Sequence, residues 1–87
     1  MKPPTAESLK EIVDGDWKQD DQIEHEWRCT INDAHWFVYP WAKLWRVGVT
    51  HPVKNPPGHS IECHLDNWQE ALLRVSFAWR ILKGNDA

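Results

Sequence analysis

The stretch QIEHEWRCTI, residues 22–31, alternates between two sets of side chains. The first set is mostly apolar and comprises Ile23, His25, Trp27, Cys29 and Ile31, whereas the second comprises Glu24, Glu26, Arg28 and Thr30. A period of two predicts a β-strand over residues 22–31, with the first set in the core and the second in water. The turn residues Asn32-Asp33-Ala34 follow directly, so we expect them to close a hairpin.

Further strands are expected on the C-terminal side of this hairpin. The second strand should run from about His35 to Tyr39, because Pro40 cannot donate to a ladder and must end the strand, sit at a bulge or lie at an edge. A third is predicted over 43–50, with its valines on one face, and 51–59 read as a rigid proline-rich loop. Residues 60–64 are extended and allow a short fourth strand, with Ile61 and Cys63 pointing inward.

Two helices are predicted to complete the fold. Residues 67–83 carry a capping box from Asn67 and Glu70 at the start, and Gly84 suits the C′ position at the end. At 100° per residue, seven apolar side chains of this helix fall on one stripe, namely Trp68, Ala71, Leu72, Val75, Ala78, Trp79 and Leu82. A shorter helix is predicted over 6–14, with Thr5 as N-cap and Gly15 as C′ residue.

The sequence therefore predicts a single α+β domain over residues 1–87. We expect two layers: a three- or four-stranded antiparallel sheet, a long C-terminal helix packed on it and a short N-terminal helix. Seven tryptophans suit a small core built from few large side chains, although two or three of these rings could instead be exposed for stacking. The core is predicted to include Trp27, Cys29, Ile31, Trp45, Val47, Leu72, Val75 and Trp79.

Charge is distributed unevenly along the chain. The net charge is −3, but residues 1–40 hold nine acidic and four basic residues, whereas 41–87 hold four acidic and six basic ones. Much of the acid lies in one stretch, at Asp14, Asp16, Asp20, Asp21, Glu24 and Glu26. Such a surface suits a basic partner rather than nucleic acid, and the alternative is an ordinary solvated loop and strand face.

Metal binding and catalysis both find weak support. His25-x-x-x-Cys29 and His59-x-x-x-Cys63 repeat one spacing, but four residues of strand span about 13 Å, too far for two ligands of one zinc ion. A calcium loop starting at Asp14 fails, because its sixth and twelfth positions hold Gln19 and His25. His51 and His59 could face each other across the proline loop, yet no known nucleophile motif or phosphate loop occurs. We expect no cofactor, no metal and no enzymatic activity.

Two sets of apolar side chains are candidates for contact with a partner. Trp36 and Val38 alternate with Phe37, Tyr39 and Trp41, so one of these sets must face away from the core, and the sequence does not decide which. Leu73, Phe77 and Ile81 fall opposite the main stripe of the long helix, where a two-layer fold is normally polar. The alternative is that the N-terminal helix covers this row.

These features favour a non-enzymatic protein-binding module, with partner-binding residues in the acidic stretch, the aromatic strand and the helix row. Small size and acidity suit an inhibitor encoded by a phage or mobile element, a general character shared with anti-CRISPR proteins, that occludes a basic surface of a nucleic-acid-handling machine. A homodimer through the C-terminal helix is a second possibility. The alternative function is nucleic-acid binding, with bases stacked on the aromatic strand and phosphates held by Lys43, Arg46, Lys54, Arg74 and Arg80. Without an apolar signal stretch or a membrane-spanning run, we expect a cytoplasmic protein.

Overall fold

The structure, a computed structural model, describes residues 2–51 and 59–85, except the side chains of His59 and of 83–85. In chain order the elements are α1 (Ala6–Ile12), β1 (Lys18–Gln19), β2 (Trp27–Ile31), β3 (Ala34–Trp41), β4 (Leu44–His51), β5 (His59–Leu65) and α2 (Trp68–Asn85). The predicted α+β class is confirmed, but the sheet has five strands rather than three or four. The conformation predicted for the proline-rich loop falls mostly on residues 52–58, outside the described residues.

The sheet is an antiparallel meander in the order β1-β2-β3-β4-β5, so each strand pairs with its neighbours in the chain. The predicted hairpin is present: Asn32 and Asp33 both adopt positive φ, 49° and 69°, as a type I′ turn requires. The second hairpin turns at Ala42, which has φ of 56°. Pro40 lies inside β3, opposite Trp45 of β4. It is tolerated there because β2 reaches only as far as Val38, so the missing N–H leaves no ladder bond unmade.

Both helices cover one face of the sheet. α2 packs on β4 and β5, and α1 lies beside α2. Between the layers is the core, whose buried side chains include Leu9, Val13, Trp17, Cys29, Trp36, Val38, Val47, Val49, Trp68, Leu72, Val75 and Trp79. Trp36 of β3 meets Trp79 of α2 edge-on, with ring centroids 6.4 Å apart.

Five of the eight predicted core residues are buried, and the other three lie at the edge of the hydrophobic core. Trp27, Ile31 and Trp45 are only partly buried and pack against the outside of the cluster. Trp17, in contrast, lies between the acidic residues Asp16 and Asp20 and is nevertheless buried. Its indole Nε1 donates a hydrogen bond of 2.9 Å to the carbonyl of Val13, which satisfies the one polar atom of the ring.

The strand predicted over 22–31 is wrong in its first half, because β2 starts only at Trp27. The Asp20 carboxylate accepts hydrogen bonds from the backbone N–H groups of Gln22 and Ile23, and this local bonding competes with a ladder. His25 then adopts a left-handed φ of 64°, so the chain turns instead of extending. Ile23, predicted to be core, is consequently exposed.

The helix ends also differ from prediction. Thr5 caps α1 together with Ser8, but the helix stops at Ile12 and its C-cap Val13 is extended. Gly15 is not a left-handed C′ residue. A Cβ at this position would lie 2.4 Å from Cys29 Sγ, so close packing on β2 requires glycine.

Asn67 caps α2 as predicted, since its side-chain oxygen accepts from the N–H of Glu70 at 3.1 Å. The reciprocal half of the predicted capping box is not formed, because the Glu70 carboxylate accepts a hydrogen bond from Arg74 within the helix instead. Gly84 does not end α2, which continues to Asn85.

Candidate interaction surfaces

The aromatic set of β3 is divided by the pleat. Trp36 and Val38 point into the core, whereas Phe37, Tyr39 and Trp41 lie on the face of the sheet that the helices leave open. The three exposed-face rings form a row, with centroids 5.7 Å apart for Phe37 and Tyr39 and 6.3 Å apart for Tyr39 and Trp41. Trp41 ends the row and is 55% exposed. The question left open by the sequence is thus answered: Phe37, Tyr39 and Trp41 lie on the open face, where Trp41 is exposed and the other two rings are half-buried.

The guanidinium of Arg46, on β4, lies beside this aromatic row. Its guanidinium carbon lies 5.7–5.8 Å from the centroids of all three rings. Two of its nitrogens donate to the two carboxylate oxygens of Glu62, at 3.2 and 2.7 Å, and a third donates to the hydroxyl of Tyr39 at 2.7 Å. The cation site that the aromatic row provides is therefore filled by the chain itself.

Glu62 is the residue that the sequence analysis missed on this face. The hydrogen bonds from Arg46 hold the pKa of the Glu62 carboxyl below its ordinary value, and the same bonds raise the pKa of Arg46. His64 lies 3.4 Å from the same carboxylate. A signal was present, because Arg46 and Glu62 each occupy outward positions of their strands, but the pairing requires the β4–β5 register.

The row Leu73, Phe77 and Ile81 is exposed along α2, as predicted. These side chains are 56%, 67% and 52% exposed, and α1 does not cover them. Ile12 of α1 lies at the border of the row and helps to line a groove of about 400 Å³ beside Phe77. The groove was not predicted, because it depends on how α1 packs against α2.

The acidic stretch is divided between exposed and structural carboxylates. Asp14, Asp16, Asp21 and Glu24 are exposed. Asp14 and Asp16 have weak salt-bridge partners at 4.0 and 3.8 Å, Lys10 and Lys18, which are themselves largely exposed. These carboxylates form a solvated negative surface, and contact with a basic partner there stays a prediction.

Two members of the predicted acidic surface belong to the fold instead. Asp20 holds the turn at 22–23 through its side chain and bonds the carbonyl of Glu26 with its backbone N–H at 2.8 Å. Glu26 is only 5% exposed, and its carboxylate accepts from Arg28 at 3.2 Å. The prediction that Glu26 points into water is wrong, because this residue precedes the first residue of β2 and its side chain is buried beside that of Arg28.

The thiols and histidines are scattered. Cys29 is buried, and burial raises the pKa of its thiol above the ordinary value, with a further contribution from Asp16. His25 lies in a turn and not in a strand, so the strand spacing that separated it from Cys29 as a zinc ligand does not apply. Among the described residues no three His, Cys, Asp or Glu side chains come together as metal ligands.

His51 and His59 are opposed in the β4–β5 register, and the His51 ring lies 6.0 Å from that of Trp79.

Comparison with known proteins yields no relative: no family model matches the chain, and no curated protein or solved structure is significantly similar to it. Within the described part of the chain, neither helix combines the length and the apolar character that crossing a membrane requires.

Proposed function

We propose that this protein is a non-enzymatic binding module that docks a protein partner on the α2 row, Leu73, Phe77 and Ile81. One observation carries the proposal: three large apolar side chains, each more than half exposed, lie in successive turns of one helix. Clustered exposed apolar side chains of this kind are typical of interaction sites rather than of free surfaces.

The surroundings of the row indicate the chemistry of the partner. Arg74 and Arg80 line the groove beside Phe77, and Arg74 is held by Glu70 at 2.9 Å. An apolar strip with a basic border fits an amphipathic helix whose apolar face is flanked by acidic residues. Phe77, the most exposed of the three, would be the central anchor.

A charge change at the centre of the row tests this proposal. Phe77→Glu should leave the helical circular dichroism unchanged and abolish partner capture from the native host, whereas Gln69→Glu adds the same charge at an exposed position of α2 outside the row and should capture normally. A second copy docked on the row would appear as a parent dimer, by light scattering, that Phe77→Glu dissociates. The proposal is contradicted if the parent is monomeric and if Phe77→Glu captures the same partners as Gln69→Glu.

We further propose that the protein is an inhibitor, with the general character of anti-CRISPR proteins, that occludes a basic surface of a nucleic-acid-handling machine. Its support is the exposed carboxylates of Asp14, Asp16, Asp21 and Glu24, which form a surface separate from the α2 row. Such charges chiefly accelerate association and make it salt-dependent. Replacing Asp21 and Glu24 with Lys should slow association with a captured partner, and an unchanged association rate at low salt would contradict the extension.

Nucleic-acid binding on the aromatic row is the second candidate, favoured by the exposed ring of Trp41. Two observations weaken it. Arg46 is engaged by Glu62, and Arg74 and Arg80 lie on α2, on the other side of the sheet; Lys54 lies outside the described residues.

Fluorescence titration with single-stranded and duplex oligonucleotides separates the two candidates. Nucleic-acid binding requires quenching of Trp41 fluorescence and an affinity that falls steeply with salt, whereas the protein-binding module shows neither. Trp41→Phe provides the control for the fluorescence signal.

A further inference from the structure

The two edges of the sheet are unequal. β1, at one edge, has two residues, whereas β5, at the other, has seven, and no other described element pairs with its outer side. Natural proteins protect sheet edges with short strands, prolines, inward charges or lysines. The β5 sequence HSIECHL contains neither proline nor lysine, so its edge is open to pairing with another strand.

The register identifies the backbone groups that are free at this edge. Trp41 and Leu44 flank the two-residue turn of the β3–β4 hairpin, so they form a hydrogen-bonded pair, and every second residue of β4 then bonds to β3. The residues between them, Trp45, Val47 and Val49, bond to β5. On β5 this leaves the N–H and C=O groups of Ser60, Glu62 and His64 pointing away from the sheet.

We propose that β5 pairs antiparallel with β5 of a second copy, in a register centred on Cys63. In this register Glu62 of each copy lies opposite His64 of the other, and Ile61 lies opposite Leu65. The backbone N–H and C=O groups of Glu62 and His64 both point away from the sheet, so in this register those of one copy can bond to those of the other. The neighbouring register, centred on Glu62, would place two carboxylates opposite each other and is disfavoured for that reason.

The helical layer supports the same arrangement. α2 covers β4 and β5, so joining two β5 edges brings the two copies of α2 to roughly 10 Å from each other, the ordinary distance of packed helices, given strands about 4.8 Å apart. At about 100° per residue, Ile81 lies roughly 140° around α2 from Ser76, which lines the groove beside Ile12 of α1. This half-exposed side chain would therefore be partly buried at the seam.

Symmetry limits the assembly to two copies. A twofold axis through the seam uses the β5 edge of both chains and produces a ten-stranded sheet whose remaining edges are the two-residue β1 strands. These short ends cannot propagate the sheet. The proposed partner is a second copy, and the product is a closed dimer.

Proline at the edge provides the first test. His64→Pro removes an N–H that has no ladder partner within one chain, so the monomer should keep its circular dichroism and a cooperative melt. His64→Thr, the matched control, retains the N–H and the strand preference. In reducing buffer, sedimentation equilibrium should give twice the chain mass of 10.3 kDa for the parent and His64→Thr, and the single mass for His64→Pro.

Cysteine cross-linking tests the register. Directly opposed Cys63 thiols should be joined by a copper–phenanthroline oxidant, which accepts the two electrons as two protons leave and the disulfide forms. Cys29→Ser should cross-link like the parent, since Cys29 is buried in the core, and Cys63→Ser should not.

Three outcomes overturn the proposal: a parent that is monomeric at every concentration, a dimer that survives His64→Pro, or a dimer that Cys63 does not cross-link. Phe77→Glu separates this proposal from docking on the α2 row. The edge dimer should survive that substitution, while capture of another protein should not.

Discussion

The two faces of the sheet are built from alternate residues of the same strands, yet only one is covered. On β3, Trp36 and Val38 lie beneath the helices, and Phe37, Tyr39 and Trp41 lie on the bare side. Aromatic content therefore does not decide which face is buried. The branched side chains of β4 on the inner face give α2 an apolar surface to pack on, whereas a helix over the outer face would have to desolvate the Arg46–Glu62 pair.

Removing one tryptophan from each face of β3 should produce the largest contrast. Trp36→Ala deletes a buried ring packed on Trp79 and should lower the free energy of unfolding by about 3–5 kcal/mol. Trp41→Ala, at the exposed end of the row, should change it by less than about 0.5 kcal/mol. Urea unfolding of both variants measures the difference, and equal losses would mean that the outer row is itself a second core.

The same contrast should hold on α2 for adjacent leucines. Leu72 is fully buried, so Leu72→Ala should cost about 2–5 kcal/mol. Leu73 is more than half exposed, and Leu73→Ala should cost well under about 1 kcal/mol. Thermal melts of the two variants test the helix register, which would be wrong if Leu72→Ala melted with the parent.

Gly48 tests how closely the bare face is packed. Phe37, its cross-strand partner, lies over this glycine, and a Cβ there would meet Phe37 Cζ at 2.5 Å and the carbonyl oxygen of Ile61 at 2.7 Å. The ring can move but the backbone oxygen cannot easily do so. We therefore expect Gly48→Ala to cost about 1–3 kcal/mol in urea unfolding. Thr50→Ala, on the same strand face, provides the control and should have little effect.

The ion pair of the bare face should give the smallest effect, visible as a pH dependence. The pKa of Glu62 is lowered in the folded protein, so its contribution to stability is present at neutral pH and is lost as the pH falls through the folded-state pKa. Arg46→Met should therefore reduce the acid-induced loss of stability. Because both side chains are about one-third exposed, solvent screens their interaction and the change should be small.

Urea unfolding at neutral pH and below the ordinary carboxylate pKa of about 4 measures this effect. Glu62→Gln removes the titrating group and should show the same reduced dependence. If the free energy of unfolding of both variants depends on pH as that of the parent does, the Arg46–Glu62 pair does not stabilise the fold.

Long regular patterns were the predictable part of this fold. The stripe of α2 repeats over about four turns, from Trp68 to Leu82, so its burial and the exposure of the opposite row both follow from periodicity. The Asn32-Asp33 hairpin was equally accessible, because few residues tolerate positive φ at both turn positions.

Short or contingent features were not predictable. The alternation in 22–26 continues that of β2, but the side chain of Asp20 turns the chain there, and no pattern distinguishes the two outcomes. β1 is only two residues long and carries no periodicity. The contact of Arg46 with Glu62 spans sixteen positions and exists only through the β4–β5 register, so it cannot be read from either strand alone.

The meander order of the strands has a consequence for the folding pathway. Every strand pair is formed by chain neighbours, and two of the pairs close with two-residue turns, so most of the sheet can assemble through short loops at little entropic cost. The helices lie at opposite ends of the chain and meet only in the finished molecule. Their contact is closed by the indole of Trp68, which donates to the carbonyl of Lys2 across 66 positions. We expect the joining of the two ends to be the late step of folding, and its reversal to be the first local opening of the native state.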